Sequence, residues 1–382
     1  MQLTGAWLNN ANLRRVLSVL SANGAEAYMV GGCVRNSLLG RDISDIDIAT
    51  SLKPQETLDY ARKAGIKAIP TGADHGTITL VENDDTFEVT TFRKDIDTNG
   101  RQATVVFSDR LEEDAKRRDF TINALYADLE GKVIDPLGGL EDLKKRRLRF
   151  IEDPAQRIRE DYLRILRYFR FYAWYANPDN GFDAKALDAI AQNVEGLELL
   201  SRERIGAEML KLLSAPDPAP ALATMQQIGV LPAFLPGSDT RALPLILHFE
   251  HITGISLNAL TRLASLGGSK VSERLRLSKK QSHALALMRE HMGSTMGIGE
   301  LSYRFGALLA ESILLLRAAQ FETQPHSVEL EAITRGAEAH FPIKAQDLDP
   351  ALKGAALGTT LKRLEQRWID SGFRLSKLDL LN

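Results

Sequence analysis

Two hydrophobic patterns meet near residue 140, and this change limits the possible folds more than any other feature. Before it, short β-like runs alternate with turns. After about Glu141 these runs disappear, and helical periodicity continues to the end of the chain. We therefore predict an α+β fold, in which a head with a mixed β-sheet and helices is followed by an all-α region. The strand-like runs cover residues 27–32, 45–50, 77–81, 87–92 and 133–139.

Residues that end helices or form turns indicate how the chain is organised. We predict a first amphipathic helix over about Asn10–Leu20, and a long loop over the polar stretch 93–105, which contains the turn signal Asn99-Gly100. The predicted parts are a head, a helical neck and a helical body with its tail. They cover residues 1–140, 141–215 and 216–382.

Charge and cysteine content exclude several classes of protein. Among 382 residues, Lys+Arg is 48 and Asp+Glu is 50, so a wholly basic nucleic-acid coat is excluded, although a local basic face is not. Cys33 alone cannot build a disulfide framework or a cysteine-rich zinc site. We find neither a membrane span nor a secretory h-region and expect a cytoplasmic location with no membrane partner. Arg14 and Arg15, with few acids nearby, leave a transit peptide as the alternative.

Two carboxylates stand two residues apart in a predicted strand. Alternate residues of a strand point to the same face, so Asp45 and Asp47 should lie side by side while Ile46 and Ile48 enter the core. Like charges this close repel unless a cation lies between them, and such oxygens suit Mg²⁺ bound together with substrate phosphates. Two Mg²⁺ ions would activate a hydroxyl and stabilise a leaving pyrophosphate. A solvated strand edge is the plainer interpretation of this pair alone.

A glycine pair comes before the carboxylates. Gly31 and Gly32 follow a predicted strand and precede a predicted helix, where backbone N–H groups can approach a phosphate and Arg35 can reach a triphosphate. Glycine pair, short helix and D-x-D strand together resemble the DNA polymerase beta-type nucleotidyltransferase superfamily. That superfamily usually adds a third acidic residue on a neighbouring strand. Glu88 fits this position, and it equally fits an ordinary exposed strand residue.

Two arginine-rich segments follow. Arg118 can bind phosphate, and Asp119 and Asn123 can bind ribose hydroxyls, although Asp119 could also simply cap a helix. Further on, we place Asp161 and Arg164 on one helix, where i,i+3 spacing makes them neighbours. Such a pair can accept from the exocyclic amine of cytosine or adenine and donate to the ring nitrogen, which would reject uracil and guanine. A salt-bridged solvated face is the plainer interpretation.

These motifs resemble the class II tRNA nucleotidyltransferase and bacterial poly(A) polymerase family over about residues 25–210. Glu203, Arg204 and Glu208 fit that family's E-R-x-x-x-E motif, whereas Asn36 replaces its usual Asp. The remaining motifs are GGCVRN, SDIDIAT, RRDFTINAL, DPLGGLEDL and EDYLRILRYFRF.

The resemblance implies a role for each matched residue. It implies Asp45 and Asp47 as metal ligands and the polar stretch 93–105 as a flexible loop that helps to switch between nucleotides. Glu203 and Arg204 would brace the nucleotide-selecting helix. The implied nucleotide site consists of Gly32, Arg35, Arg118, Asp161, Arg164, Arg167 and Arg170.

We therefore expect template-independent addition of C, C and A to the 3′ end of tRNA, from CTP and ATP with Mg²⁺. The alternatives are a poly(A) polymerase, an enzyme that adds only CC or only A, a non-catalytic RNA-binding protein and a small-molecule nucleotidyltransferase. The basic run 144–149 is either a solvated linker or a surface that meets RNA phosphates.

Overall fold

The computed structural model describes residues 1–99 and 102–382 as two compact units. The first comprises residues 1–201 and 228–233, and the second comprises residues 202–227 and 234–382. The finer division at residues 140 and 215 stays a prediction.

The first unit contains all nine described strands together with eight α-helices. In chain order these are α1 (Ala11–Leu20), β1 (Ala27–Val30), α2 (Gly32–Leu38), β2 (Asp47–Thr50), α3 (Pro54–Lys63), β3 (Lys67–Gly72), β4 (Thr77–Glu82), β5 (Asp85–Thr91), β6 (Arg93–Asn99), β7 (Gln102–Phe107), α4 (Leu111–Lys116), β8 (Tyr126–Ala127), β9 (Val133–Ile134), α5 (Gly139–Lys144), α6 (Pro154–Glu160), α7 (Leu163–Tyr175) and α8 (Ala184–Ala191).

Seven of these strands form one mixed sheet in the order β3-β4-β5-β2-β1-β8-β9. Strands β2 and β5 are parallel, and the other neighbouring pairs are antiparallel. Val30, at the end of β1, lies opposite Asp47, at the beginning of β2. Asp47 in turn lies opposite Glu88 of β5. The register therefore gathers the glycine turn and two of the candidate carboxylates around the beginning of β2.

Alternating burial fixes this register. Ile48 and Val89, which pair with each other, are each only 1% exposed, whereas their neighbours Asp47 and Glu88 are exposed. Burial alternates along β5, so a slip of one residue in that strand would bury Glu88 and expose Val89. Packing of the apolar face thus holds the two acids on the opposite, open face.

Several sequence predictions are confirmed and others are wrong. The first helix is confirmed, because Asn10 caps α1 through hydrogen bonds from the backbone N–H groups of Asn12 and Leu13. The loop predicted over 93–105 is wrong, because β6 and β7 pair as an antiparallel hairpin. The turn signal Asn99-Gly100 lies partly outside the described residues. The alternative that Asp119 caps a helix is also wrong, since a short 3₁₀ turn and strand β8 follow.

The second unit is helical in its described residues, which agrees with the predicted all-α region. Residues 228–233, which include most of the short helix Val230–Phe234, belong with the first unit. The helices from residue 202 onward are α9 (Arg202–Leu213), α10 (Ala219–Gln227), α11 (Val230–Phe234), α12 (Leu243–Thr253), α13 (Ala259–Ser265), α14 (Val271–Arg274), α15 (Lys279–Met292), α16 (Ile298–Phe305), α17 (Ala307–Phe321), α18 (Ser327–Glu338), α19 (Gly354–Asp370) and α20 (Lys377–Leu381).

Close helix packing and one buried ion pair hold this unit together. A Cβ added at Gly206 would lie 1.9 Å from the carbonyl oxygen of Leu275, so α9 contacts the end of α14 at a distance only glycine allows. Arg262 is 2% exposed and pairs with Glu250 at 2.6 Å. None of the helices in the described ranges combines the length and the hydropathy needed to span a bilayer.

Candidate active site

Asp47 is the electrostatic centre of the candidate site. It lies beside Glu88 in the parallel register of β2 and β5, and Asp45 precedes it by two residues. Partial desolvation by the surrounding protein raises the pKa of Asp47, the negative charges of Glu88 and Asp45 raise it further, and Arg118 lowers it. The charges of Glu88 and Asp45 therefore both act on Asp47. Asp45 nevertheless lies before β2 rather than in it, so its predicted place on the strand is wrong.

The donor set suits a hard cation that also binds substrate. Within the described ranges, no three His, Cys, Asp or Glu side chains form a preformed metal cage. Mg²⁺ does not need such a cage, because it binds through one or two carboxylates together with waters and substrate phosphates. Desolvation and then the charges of Glu88 and Asp45 raise the pKa of Asp47, and a bound cation would compensate that negative charge. Asp45 and Asp47 thus fit the Mg²⁺ that the resemblance implies.

A glycine turn borders the carboxylates. Gly31 has φ +73°, and a Cβ placed on it would lie 3.6 Å from Arg118 Nη1 and from the carbonyl oxygen of Asn123. Its backbone N–H donates to the carbonyl oxygen of Leu125 at 3.0 Å. The Gly31 amide is therefore already hydrogen-bonded within the fold and is not available to a phosphate, contrary to the sequence prediction for this residue. Glycine here instead allows the chain to turn from β1 into α2 beside Arg118.

A carboxylate that sequence reasoning missed holds Arg118. Asp114 is fully buried and accepts hydrogen bonds from Arg117 Nε at 2.8 Å, Arg118 Nη2 at 3.0 Å and the Tyr126 hydroxyl at 2.7 Å. Burial alone would raise the pKa of Asp114, but Arg118, Arg117 and Tyr126 lower it to about 2. The spacing of three and four residues from Asp114 to the two arginines was the signal available in the sequence.

A second polar network runs from α2 to α7. Asp119 accepts from Arg167 Nε at 2.7 Å and from Asn123 Nδ2 at 2.9 Å. Arg35 donates to the Asn123 side-chain oxygen and to the Tyr175 hydroxyl, the latter at 2.8 Å. Burial would raise the pKa of Asp119, but Arg167 and Asn123 lower it to about 2. The structure thus brings together four predicted nucleotide-site residues, which contact one another.

Arg35 is buried among neutral partners. It is 6% exposed, and its Nε and Nη2 also donate to Asn36 Oδ1 at 3.2 and 3.0 Å. Burial lowers the pKa of Arg35, while Tyr175 and Asp119 raise it. The amide of Asn36 donates to the carbonyl oxygen of Asp42 at 3.2 Å. Asn36 therefore binds Arg35 without neutralising it, and it also fastens the segment that leads to Asp45.

Asp161 lies outside the helix on which the sequence placed it. It follows α6 with extended backbone angles, φ −152° and ψ 105°, and its Oδ1 accepts from the Leu163 backbone N–H at 3.1 Å. The predicted helical i,i+3 relation to Arg164 is therefore wrong. The 9%-exposed Arg164 side chain instead donates to Glu160 Oε2 at 2.6 Å and to the carbonyl oxygens of Arg157 and Arg117.

Two arginines of α7 and Arg35 of α2 surround one aromatic ring. The Cζ atoms of Arg35, Arg167 and Arg170 lie 5.1, 5.2 and 4.5 Å from the centre of the Phe171 ring. Cation–π attraction helps to hold three guanidinium groups near one another. Arg170 also lowers the pKa of Arg35 through its charge. This end of α7 therefore presents concentrated positive charge suited to an anionic ligand.

Three predicted supporting residues lie in α9 of the second unit. Glu203 is exposed and pairs with Arg276 Nε at 3.3 Å, while Glu208 is 6% exposed. Arg204 lies between them in the helix. That these residues brace the selecting segment stays a prediction.

Family models match two parts of the chain. The model described as "Poly A polymerase head domain" matches residues 27–149. That described as "Probable RNA and SrmB- binding site of polymerase A" matches residues 182–241. The first match contains the carboxylates, the glycine turn and the Asp114 network.

Relatives and solved structures agree with these matches. The chain is 32% identical to zebrafish "CCA tRNA nucleotidyltransferase 1, mitochondrial" over 95% of its length and 88% of that protein. It is 43% identical to the Geobacillus stearothermophilus "CCA-adding enzyme" over 58% of its length and 54% of that protein. The fold is similar to the Bacillus stearothermophilus CCA-adding enzyme in complex with CTP, at 28% identity and a TM-score of 0.71, covering 94% of this chain and 92% of that one. With its site geometry and this near full-length similarity, the chain belongs to the CCA tRNA nucleotidyltransferase family.

Proposed function

We propose that the chain adds C, C and A in turn to the 3′ end of tRNA, from CTP and ATP and without a nucleic-acid template. In each step the terminal ribose hydroxyl attacks the α-phosphorus. A new P–O bond forms, the bond to the β-phosphate oxygen breaks, and pyrophosphate leaves. The observation that carries this proposal is the alignment of Asp47 with Glu88 on parallel strands, beside the Gly31 turn. The names of the relatives support it.

The carboxylates have separate tasks in this proposal. Asp45 and Asp47 would hold Mg²⁺, and two ions are expected. When bound, the metal lowers the pKa of the attacking hydroxyl and neutralises charge on the phosphates. A carboxylate oxygen of Glu88 would take up the hydroxyl proton, and the pairing of Glu88 with Asp47 across the two strands supports this role. Arg118, held in place by Asp114, lies beside Asp47 and can bind a phosphate oxygen.

Asp161 and Arg164 are the proposed reader of the base. Three of the five N–H groups of Arg164 are used by Glu160, Arg157 and Arg117, which leaves two for a nucleobase. The Asp161 carboxylate would accept from the exocyclic amine of cytosine or adenine, while Arg164 donates to the adjacent ring nitrogen. Uracil and guanine present the reverse pattern and would be rejected.

Extension of a tRNA transcript that lacks CCA tests the proposal. The transcript is incubated with Mg²⁺ and CTP, ATP or both, and its length is read at single-nucleotide resolution. We expect two additions with CTP and a third only when ATP is also present. A long ladder with ATP alone would identify a poly(A) polymerase, the alternative favoured by the description of the matching head-domain model. CC without A, or A only on a CC-ended transcript, would identify a specialised enzyme.

A cytoplasmic location also stays a proposal. The zebrafish, mouse and human relatives carry the word mitochondrial in their names. Fractionation of cells that express the tagged chain, followed by immunoblotting, would distinguish the two compartments.

A further inference from the structure

One cluster of charge plays no part in the site described above. Residues 144–149, here called the basic turn, begin at the last residue of α5 in the first unit and read Lys-Lys-Arg-Arg-Leu-Arg. All five cationic side chains are exposed, whereas Leu148 is 4% and Phe150 is 3% exposed. The two apolar side chains anchor the segment and leave its cations on the surface.

Nearby acids compensate only part of this charge. Asp142 is fully buried and accepts from Arg147 Nε at 2.8 Å and from Arg149 Nε at 2.9 Å. Lys144 pairs with Glu141 at 3.1 Å. In the described part of the chain, neither Lys145 nor Arg146 forms an ion pair, although both lie among other positively charged side chains. Their charges are exposed and not taken up by an ion pair, so they are available to an anionic partner.

The backbone of the basic turn is fixed from both sides. Arg146 has φ +49°, a left-handed conformation that a long side chain adopts only where the surroundings impose it. Its carbonyl oxygen accepts from the Asn177 backbone N–H at 2.9 Å, and the carbonyl oxygen of Lys145 accepts from Asn180 Nδ2 at 2.7 Å. The backbone that carries the two cations is therefore held in place in advance, which reduces the ordering entropy lost on binding.

The location of the basic turn favours one kind of partner. Asn177 follows α7 by two residues, and Tyr175 at the end of that helix binds the buried Arg35 of the nucleotide network. The turn therefore lies at the same end of α7 as that network. Leu148 and Phe150 are buried, so the turn lacks the exposed apolar face with which a surface helix enters a membrane. A polyanion that reaches the nucleotide site is the better fit.

We infer that Lys145 and Arg146 bind the phosphate backbone of the RNA substrate. The inference rests on the proposed function for the identity of that RNA. Contacts to phosphates carry no sequence information, which suits an enzyme that must accept every tRNA. The basic turn thus serves as a fixed electrostatic contact that helps to orient the RNA.

The test is a double variant, Lys145→Gln with Arg146→Asn. Asn tolerates the left-handed backbone at position 146, so the turn should keep its shape. The matched control is Arg62→Gln with Lys63→Gln, which removes the same charge from two exposed residues at the end of α3. Affinity of the full-length protein for a tRNA transcript is measured without nucleotides over a series of NaCl concentrations, and melting temperatures verify folding.

Each phosphate contact contributes about 0.7 to 0.9 to the slope of log affinity against log salt. We expect the variant to lose about 1.4 to 1.8 of that slope, which is about 25- to 60-fold weaker binding at 0.1 M salt relative to 1 M, and to show a raised KM for tRNA but not for CTP. The control should match the parent. Equal slopes in variant and control would overturn the inference, and so would charge-dependent binding to phosphatidylserine vesicles without a change in RNA binding. If the parent binds tRNA but never extends it, the proposed function fails while the binding result still decides this inference.

Discussion

Substitution of Asp114 by Asn tests the electrostatic account of the candidate site most quantitatively. The carboxyl group is fully buried, and its pKa falls from 3.8 to about 2 because two arginines and a tyrosine hydroxyl surround it. At about 1.36 kcal/mol per pKa unit, this difference corresponds to about 2 kcal/mol of folding stability at pH 7. Because the pKa is lowered in the folded state, this stability is present above about pH 4 and is lost as the pH falls towards 2.

Thermal unfolding followed by circular dichroism measures the effect. A loss of about 2 kcal/mol should lower the melting transition by about 4 to 8 °C at pH 7. The matched control is Asp59→Asn, which removes an exposed partner of Arg62 at the same i,i+3 spacing and should change stability by less than about 0.5 kcal/mol. The variant should also show a raised KM for CTP, since Arg118 loses its anchor. If Asp114→Asn melts within a degree of the parent at pH 7, the ionised, buried network is refuted.

Two further predictions concern backbone and packing. Gly31→Ala and Gly65→Ala should each lose about 1 kcal/mol of stability, because both glycines have φ near +72° and neither added Cβ would lie closer than 3.6 Å to another atom. Only Gly31→Ala should lower kcat/KM for CTP. Equal kinetics in the two variants would contradict the place of Gly31 beside Arg118. Arg262→Ala should destabilise the second unit by about 3 to 5 kcal/mol, since it leaves Glu250 buried without its partner and removes hydrogen bonds to the carbonyl oxygens of Leu213 and Ala215. In urea denaturation the control Arg241→Ala, which breaks an exposed pair, should shift the midpoint little, and a similarly small shift for Arg262→Ala would refute the argument.

Features that depend on residues close together in the sequence were predictable. The carboxylates, the glycine turn and the first helix all follow from spacing and local propensity over a few residues. Their neighbours across the sheet were harder. Glu88 could be proposed only as a candidate, because its register with Asp47 depends on the packing of Ile48 and Val89.

Other features depend on competing interactions that the hydrophobic pattern of the sequence does not reveal. Asp161 leaves the helix because its side chain binds the Leu163 amide, which offers the backbone an alternative to helical hydrogen bonding. The hairpin of β6 and β7 was missed because β6 is polar and lacks the alternation of a half-buried strand. Asp114 was passed over because the burial that makes its charge significant arises only in the folded chain.

The central claim is that the carboxylates before and at the beginning of β2 carry out nucleotidyl transfer. The most direct test is single-turnover incorporation of CMP into a tRNA transcript by the parent, Asp45→Asn, Asp47→Asn and the control Asp42→Asn. Asp42 is also exposed and lies nearby, but only its backbone carbonyl takes part in a described hydrogen bond. Loss of a metal-binding carboxylate should cost about 4 kcal/mol of transition-state stabilisation, which is about a thousandfold in rate.

We therefore predict that both metal-site variants bind tRNA normally and incorporate CMP about a thousandfold more slowly, while Asp42→Asn stays within about twofold of the parent. Incorporation by Asp47→Asn at the rate of the parent would contradict the account.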